Sequence, residues 1–62
     1  MDNHFNSQQI KDLRKALNIS QSELARTLKV DVRTIMRWEK GENRPSSLAR
    51  RQLSRLAKRN GQ

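Results

Sequence analysis

Apolar residues in this chain never run longer than two in succession, and where they recur they stand mostly three or four positions apart. A core made of strands needs apolar runs or sustained alternation, whereas this spacing marks one face of a helix. The chain can therefore bury a core only by packing several short amphipathic helices together, and no strand is expected. No segment approaches the roughly 20 apolar residues of a membrane span, and no signal-peptide core is visible, so a cytoplasmic protein is expected. With 62 residues there is room for one small domain, and a domain of about 60 residues buries only about 60% of its unfolded surface. Stability is then modest, and a second copy or a bound ligand becomes a natural contributor.

Ile10, Leu13 and Leu17 follow Ser7, an N-cap candidate, and predict a first helix over 7–17 that ends at Asn18, a residue tolerant of left-handed backbone. Ser20-Gln21-Ser22-Glu23 has the S-x-x-E spacing of a reciprocal cap, so a second helix is predicted over 21–28, with Leu24, Ala25 and Leu28 inward. Lys29-Val30-Asp31 forms a short link in which Asp31 can cap a third helix over 32–40, stopped by Gly41. After a polar loop over 42–45, Ser46 or Ser47 opens a last helix over 46–59. Its apolar stripe is Ala49, Leu53, Leu56 and Ala57, with Arg50, Arg51, Ser54, Arg55 and Lys58 on the other side. The expected core comprises Ile10, Leu13, Leu17, Leu24, Ala25, Leu28, Val30, Ile35, Trp38, Leu53 and Leu56. Leu48 and Leu53 cannot both face one narrow core. Residues 1–6 and 60–62 read as flexible ends, with domain 7–59 between them.

Fourteen Lys and Arg against six Asp and Glu give a formal net charge of +8, a balance that favours polyanions, nucleic acid first. The third helix concentrates the question. At about 100° per residue Ile35 and Trp38 share one side, while Arg33, Met36, Arg37 and Lys40 share the other. Val32 and Thr34 flank that outward face near the helix start. A B-DNA major groove admits such a helix: arginine donates two bonds to guanine and apolar groups meet the thymine methyl. The alternative is a merely solvated face, and composition alone does not separate the two. A capped helix and a three-residue turn upstream favour the groove, because that is the helix-turn-helix arrangement.

Residues 10 to about 59 resemble the phage repressor and Cro (XRE) family of helix-turn-helix domains. The resemblance is carried by "LRKALNISQSELARTLKV" followed by "VRTIMRWEKGENRPS", with an S-Q-x-x-L-A core, an I-x-x-W-E-x-G run and the arginine-proline after it. It implies a lambda-repressor-like all-α bundle and a double-stranded DNA partner. It further implies a transcriptional regulator, most often a small repressor acting as a homodimer on an inverted repeat. Position by position, Val32, Arg33, Thr34 and Arg37 match base-contacting positions, with Met36 beside them. Gln21, Arg14, Lys40, Asn43 and Arg44 match backbone-contacting ones. Arg14 and Glu39 match a pair that forms a salt bridge. Read by themselves, Gln21 can be a polar first-turn residue and Arg14 with Glu39 two solvated charges. Three departures stand out: Lys29 replaces a glycine that turns with positive φ, Val32 replaces a polar residue, and four helices are expected where relatives have a fifth. Small relatives include phage regulators and antitoxins that also neutralise a protein toxin.

An enzyme needs a nucleophile with its base, a metal cluster or a phosphate-cradling glycine loop, and none is visible. His4 is the one histidine and cysteine is absent, so neither a metal nor another cofactor is expected. The alternatives kept open are a basic architectural, RNA-binding or protein-interaction module on the same fold. Phe5 and Trp38 make a poor stacking platform for single strands. The last helix lacks the bulky aromatics of a membrane-surface binder. Its basic run, Arg50, Arg51, Arg55, Lys58 and Arg59, is either a solvated face or an approach to the DNA backbone, with Leu53 and Leu56 supplying a two-fold contact.

Overall fold

A computed structural model of the chain describes residues 5–59 and contains four helices: α1 (Ser7–Leu17), α2 (Gln21–Leu28), α3 (Val32–Lys40) and α4 (Ser47–Arg59). No strand occurs among the described residues, and the fold is all-α. The flexible ends expected at residues 1–4 and 60–62, and His4 with them, lie outside the described residues.

The first three helices begin by one local rule. α1 is capped by Asn6, not by Ser7: the Asn6 side chain accepts from the Gln9 amide at 2.8 Å, and the Gln9 side chain accepts from the Asn6 amide at 3.0 Å. Ser7 has isoleucine three positions on and could not close that reciprocal box, whereas asparagine and glutamine stand at its two required places. Ser20 and Glu23 close the same box on α2, with bonds of 3.1 and 2.8 Å. On α3 the Asp31 carboxylate accepts from the Arg33 amide at 2.8 Å. Each cap is flanked by an apolar residue just before it and another at the fourth helical position: Phe5 with Ile10, Ile19 with Leu24, Val30 with Ile35. This is the spacing of a hydrophobic staple, which fixes the angle at which chain enters helix. All six residues belong to the core or pack against it, so the chain at Phe5 and Asn6 is built into the fold and is not part of a loose tail. α4 starts one residue later than the apolar pattern placed it, because Ser46 stands outside as the cap and accepts from the Ala49 amide at 3.2 Å.

The same three helices also end alike. Asn18 (φ 58°), Lys29 (φ 59°) and Gly41 (φ 82°) are left-handed. Beyond them the amides of Ile19, Val30 and Glu42 reach back to the carbonyls of Arg14, Ala25 and Arg37 at 3.1, 2.9 and 2.9 Å, which satisfies carbonyls a helix end leaves open. Ile19 and Val30 therefore serve twice, closing one helix and stapling the next, which is why links of three residues suffice. Asparagine and glycine take left-handed backbone readily; Lys29 does so at a cost of about 1 kcal/mol.

These links fold α2 and α3 against each other and α1 against α3. Ile10, Leu24, Ile35 and Leu53, one from each helix, have no exposed surface and form the centre, enclosed by Leu13, Ala25, Leu28, Trp38 and Ala49. Each buried leucine or isoleucine among them stabilises by about 1.5–3 kcal/mol relative to leaving it in water. Three expected core residues, Leu17, Val30 and Leu56, are only half-buried. Leu17 and Leu56 lie in last helical turns and Val30 in a link, where the layer above them stops. Ala49 of the α4 stripe is buried, and so is Pro45, which was read as part of a polar loop. Of the competing pair, Leu53 is fully inside and Leu48 is 65% exposed.

Candidate nucleic-acid interface

Ile35, Trp38 and Glu39 are the buried residues of α3, and they hold this helix to the body by one side. The opposite side carries Arg33, Met36, Arg37 and Lys40, all exposed, with Met36 at 38%. With Glu42 they line a shallow depression of about 170 Å³ on the outer surface. Spacings of three and four put these side chains in one stripe along the helix. Val32 and Thr34 are half-buried at its first turn, and Val32 packs against the core, so less of it faces outward than the helical wheel implied. Asn43 and Arg44 are exposed in the loop that follows.

Beside this stripe, α1, α2 and α3 meet at one carboxylate. Glu39 is 5% exposed and accepts from Arg14 Nε at 2.7 Å and Arg14 Nη2 at 3.1 Å, a two-pronged pairing. Arg14 Nη1 also donates to the Ile19 carbonyl at 3.2 Å, tying the end of α1 to the link before α2. Gln21, the first residue of α2, donates its side-chain amide to Glu39 at 3.0 Å. The structure thus brings Arg14, Gln21 and Glu39 together as a hub and resolves the pair as a packed one rather than two solvated charges. Burial by itself would push the Glu39 carboxyl up. The hydrogen bonds from Arg14 and Gln21, with the charges of Arg14 and Lys11, outweigh it and hold the carboxyl below its usual range. For Arg14, the Glu39 hydrogen bond and charge raise the guanidinium above its ordinary value against the opposing effect of burial. Every buried side-chain nitrogen and oxygen among the described residues has a hydrogen-bond partner.

Lys11 was missed from sequence. It lies three positions before Arg14 and so on the same face of α1, the spacing that could have flagged it. Among the described residues no group of three His, Cys, Asp or Glu could hold a metal ion, and no helix is long and apolar enough to cross a membrane.

A capped helix, a three-residue turn with a left-handed start, and a second helix anchored by one side while its cations face out together define a helix-turn-helix unit. A family model described as Helix-turn-helix matches residues 10–58, and the chain belongs to that family, of the phage repressor and Cro (XRE) type, whose members are DNA-binding regulators. No curated protein and no solved structure matches the chain significantly.

Proposed function

We propose that this protein is a small transcriptional repressor that reads an inverted-repeat operator as a homodimer, with α3 in the major groove. The observation that carries the reading is the exposed stripe of Arg33, Met36, Arg37 and Lys40 on a helix whose opposite side is locked by Ile35, Trp38 and Glu39. A reading helix has to be rigid, because base edges are distinguished by hydrogen bonds that tolerate little displacement.

Arg33 and Arg37 are the base-reading cations, Met36 supplies an apolar contact, and Val32 and Thr34 approach the bases from the first turn. Lys40, Asn43 and Arg44 meet phosphates at the far end. Gln21 and Arg14 approach the backbone on the other flank; Glu39 sets their directions, and neither spends all of its donors on it. Phosphates position the protein and base edges specify the sequence. Leu48, 65% exposed at the start of α4, supports a two-fold contact between copies. Such a dimer places two reading helices one DNA turn apart, about 34 Å. The setting is the cytoplasm, on the nucleoid.

Selection of bound sequences from a random duplex pool, run in parallel with wild type and Arg37→Ala, tests the reading. The expected result is an enriched inverted repeat that loses one defined base preference in the variant, with two protein chains per selected duplex. Salt-sensitive binding to every duplex without enrichment, or one chain on the tightest duplex, would overturn it.

A further inference from the structure

A groove runs between the C-terminal ends of α1, α2 and α4 and shares no residue with the α3 surface. Leu17, Ile19, Thr27, Leu56 and Arg59 line about 360 Å³ of it. A contiguous section of about 220 Å³ adds Leu28, Gln52 and Arg55. Its floor is apolar, and Leu17, Ile19 and Leu56 there are half-buried, so each still has apolar surface whose covering is favourable. Its rim is cationic. Arg55 and Arg59 are exposed and four positions apart, hence neighbours on one face of α4, and no carboxylate is among the lining residues.

We infer that this groove docks an acidic amphipathic helix of another protein, whose apolar side chains cover Leu17, Ile19 and Leu56 while its carboxylates meet Arg55 and Arg59. Charge decides against the other occupants. A second copy of the chain carries a net charge of +8 and would set arginines against arginines across a two-fold contact at this face. Duplex DNA would satisfy the arginines, but it has no apolar ridge to fill a leucine-lined floor. A helix with apolar residues at every third and fourth position and glutamates beside them matches both floor and rim.

The test is selection from a displayed library of random 16-residue peptides against the full chain, with binding of the enriched peptides measured by fluorescence anisotropy. Arg55→Glu with Arg59→Glu serves as the counter-target, and circular dichroism checks its helicity. Both positions are exposed, so the fold is expected to survive. The expected outcome is an enriched class of leucine-rich, glutamate-rich peptides. Their affinity falls about tenfold or more in the double variant, as reversal of two rim charges implies, and recovers when the peptide glutamates become lysines. Bound peptide should shift the amide resonances of Thr27, Leu28 and Leu56 and leave those of Arg33 and Arg37 unmoved. No enrichment, enriched peptides that bind the double variant equally well, or a double variant whose only defect is weaker duplex binding would each overturn the inference. Failure of the DNA reading would leave these readouts untouched, since the two surfaces have no residue in common.

Discussion

Arginines on the first and third helices of this protein fall into two situations. Arg14 is paired through two nitrogens with a carboxylate that is 5% exposed, and it ties α1 to α3 and to the link before α2. Arg33 and Arg37 stand on the exposed side of α3, with no salt bridge or side-chain hydrogen bond among the described residues. The same guanidinium is consumed by the fold in one place and left for a ligand in the other. The difference lies in what faces it: Glu39 emerges on the inner edge of α3, and no acidic residue stands in the outward stripe except Glu42 at its end. A basic composition thus divides into cations that build and cations that bind, and only the second class should govern affinity for a polyanion.

The sharpest way to break that division is Arg14→Ala. It leaves a buried carboxylate with Gln21 as its one remaining hydrogen-bond donor, and removing one partner of such a pair costs about 3 kcal/mol or more. Urea unfolding should show the loss, and DNA affinity should fall with the folded fraction. Arg33→Ala and Arg37→Ala should do the reverse. Stability should change by less than about 0.5 kcal/mol, while operator binding loses roughly 1 to 3 kcal/mol, confined to one base position. A comparable loss of stability in either variant would erase the distinction.

Lys40→Ala sharpens the comparison within the binding class. It should weaken binding to all duplexes alike and make the slope of log affinity against log salt shallower by about 0.9, the contribution of one phosphate.

Acidification separates the two classes without mutation. The folded-state pKa of Glu39 lies below its unfolded value, so its contribution to stability is present above the unfolded pKa and is lost as pH falls through the folded one. The stability advantage of wild type over Glu39→Gln should therefore be steady near neutrality and shrink on descending below about pH 4. An advantage that grew on acidification would mean that burial, not Arg14, controls the carboxyl.

The smallest effect is expected in the turn. Lys29→Gly relieves about 1 kcal/mol of left-handed strain but loosens the unfolded chain by nearly as much, so the melting temperature should hold or rise slightly. A clear fall would show that the lysine side chain makes a contact that offsets the strain.

Much of the architecture was legible in the letters because helix boundaries are local. Ser20 and Glu23 stand three apart, Asp31 needs an amide two residues on, and Gly41 needs only its own φ. The one misplaced cap followed from preferring serine at position 7 over the Asn6–Gln9 spacing, a signal of the same range. The outward stripe was equally legible, since a wheel of 3.6 residues per turn assigns its face once the helix is known.

The hub was of a different kind. Glu39 lies 25 residues from Arg14 and 18 from Gln21, and on their own helices these are charged or polar positions like several others. Only packing of α1 and α2 on α3 brings them within 3.1 Å of one carboxylate, and only the exclusion of water there makes the contact a strong one. The same holds for Leu48 and Leu53. Hydropathy rates them equal, and the angle at which α4 lies on the core puts one wholly inside and leaves the other 65% exposed. By itself the sequence determined where helices start, stop and turn and which side of α3 is cationic, because those depend on neighbours within about five residues. Tertiary structure alone decided which charges and leucines remain for a partner, because that depends on what the folded chain sets against them.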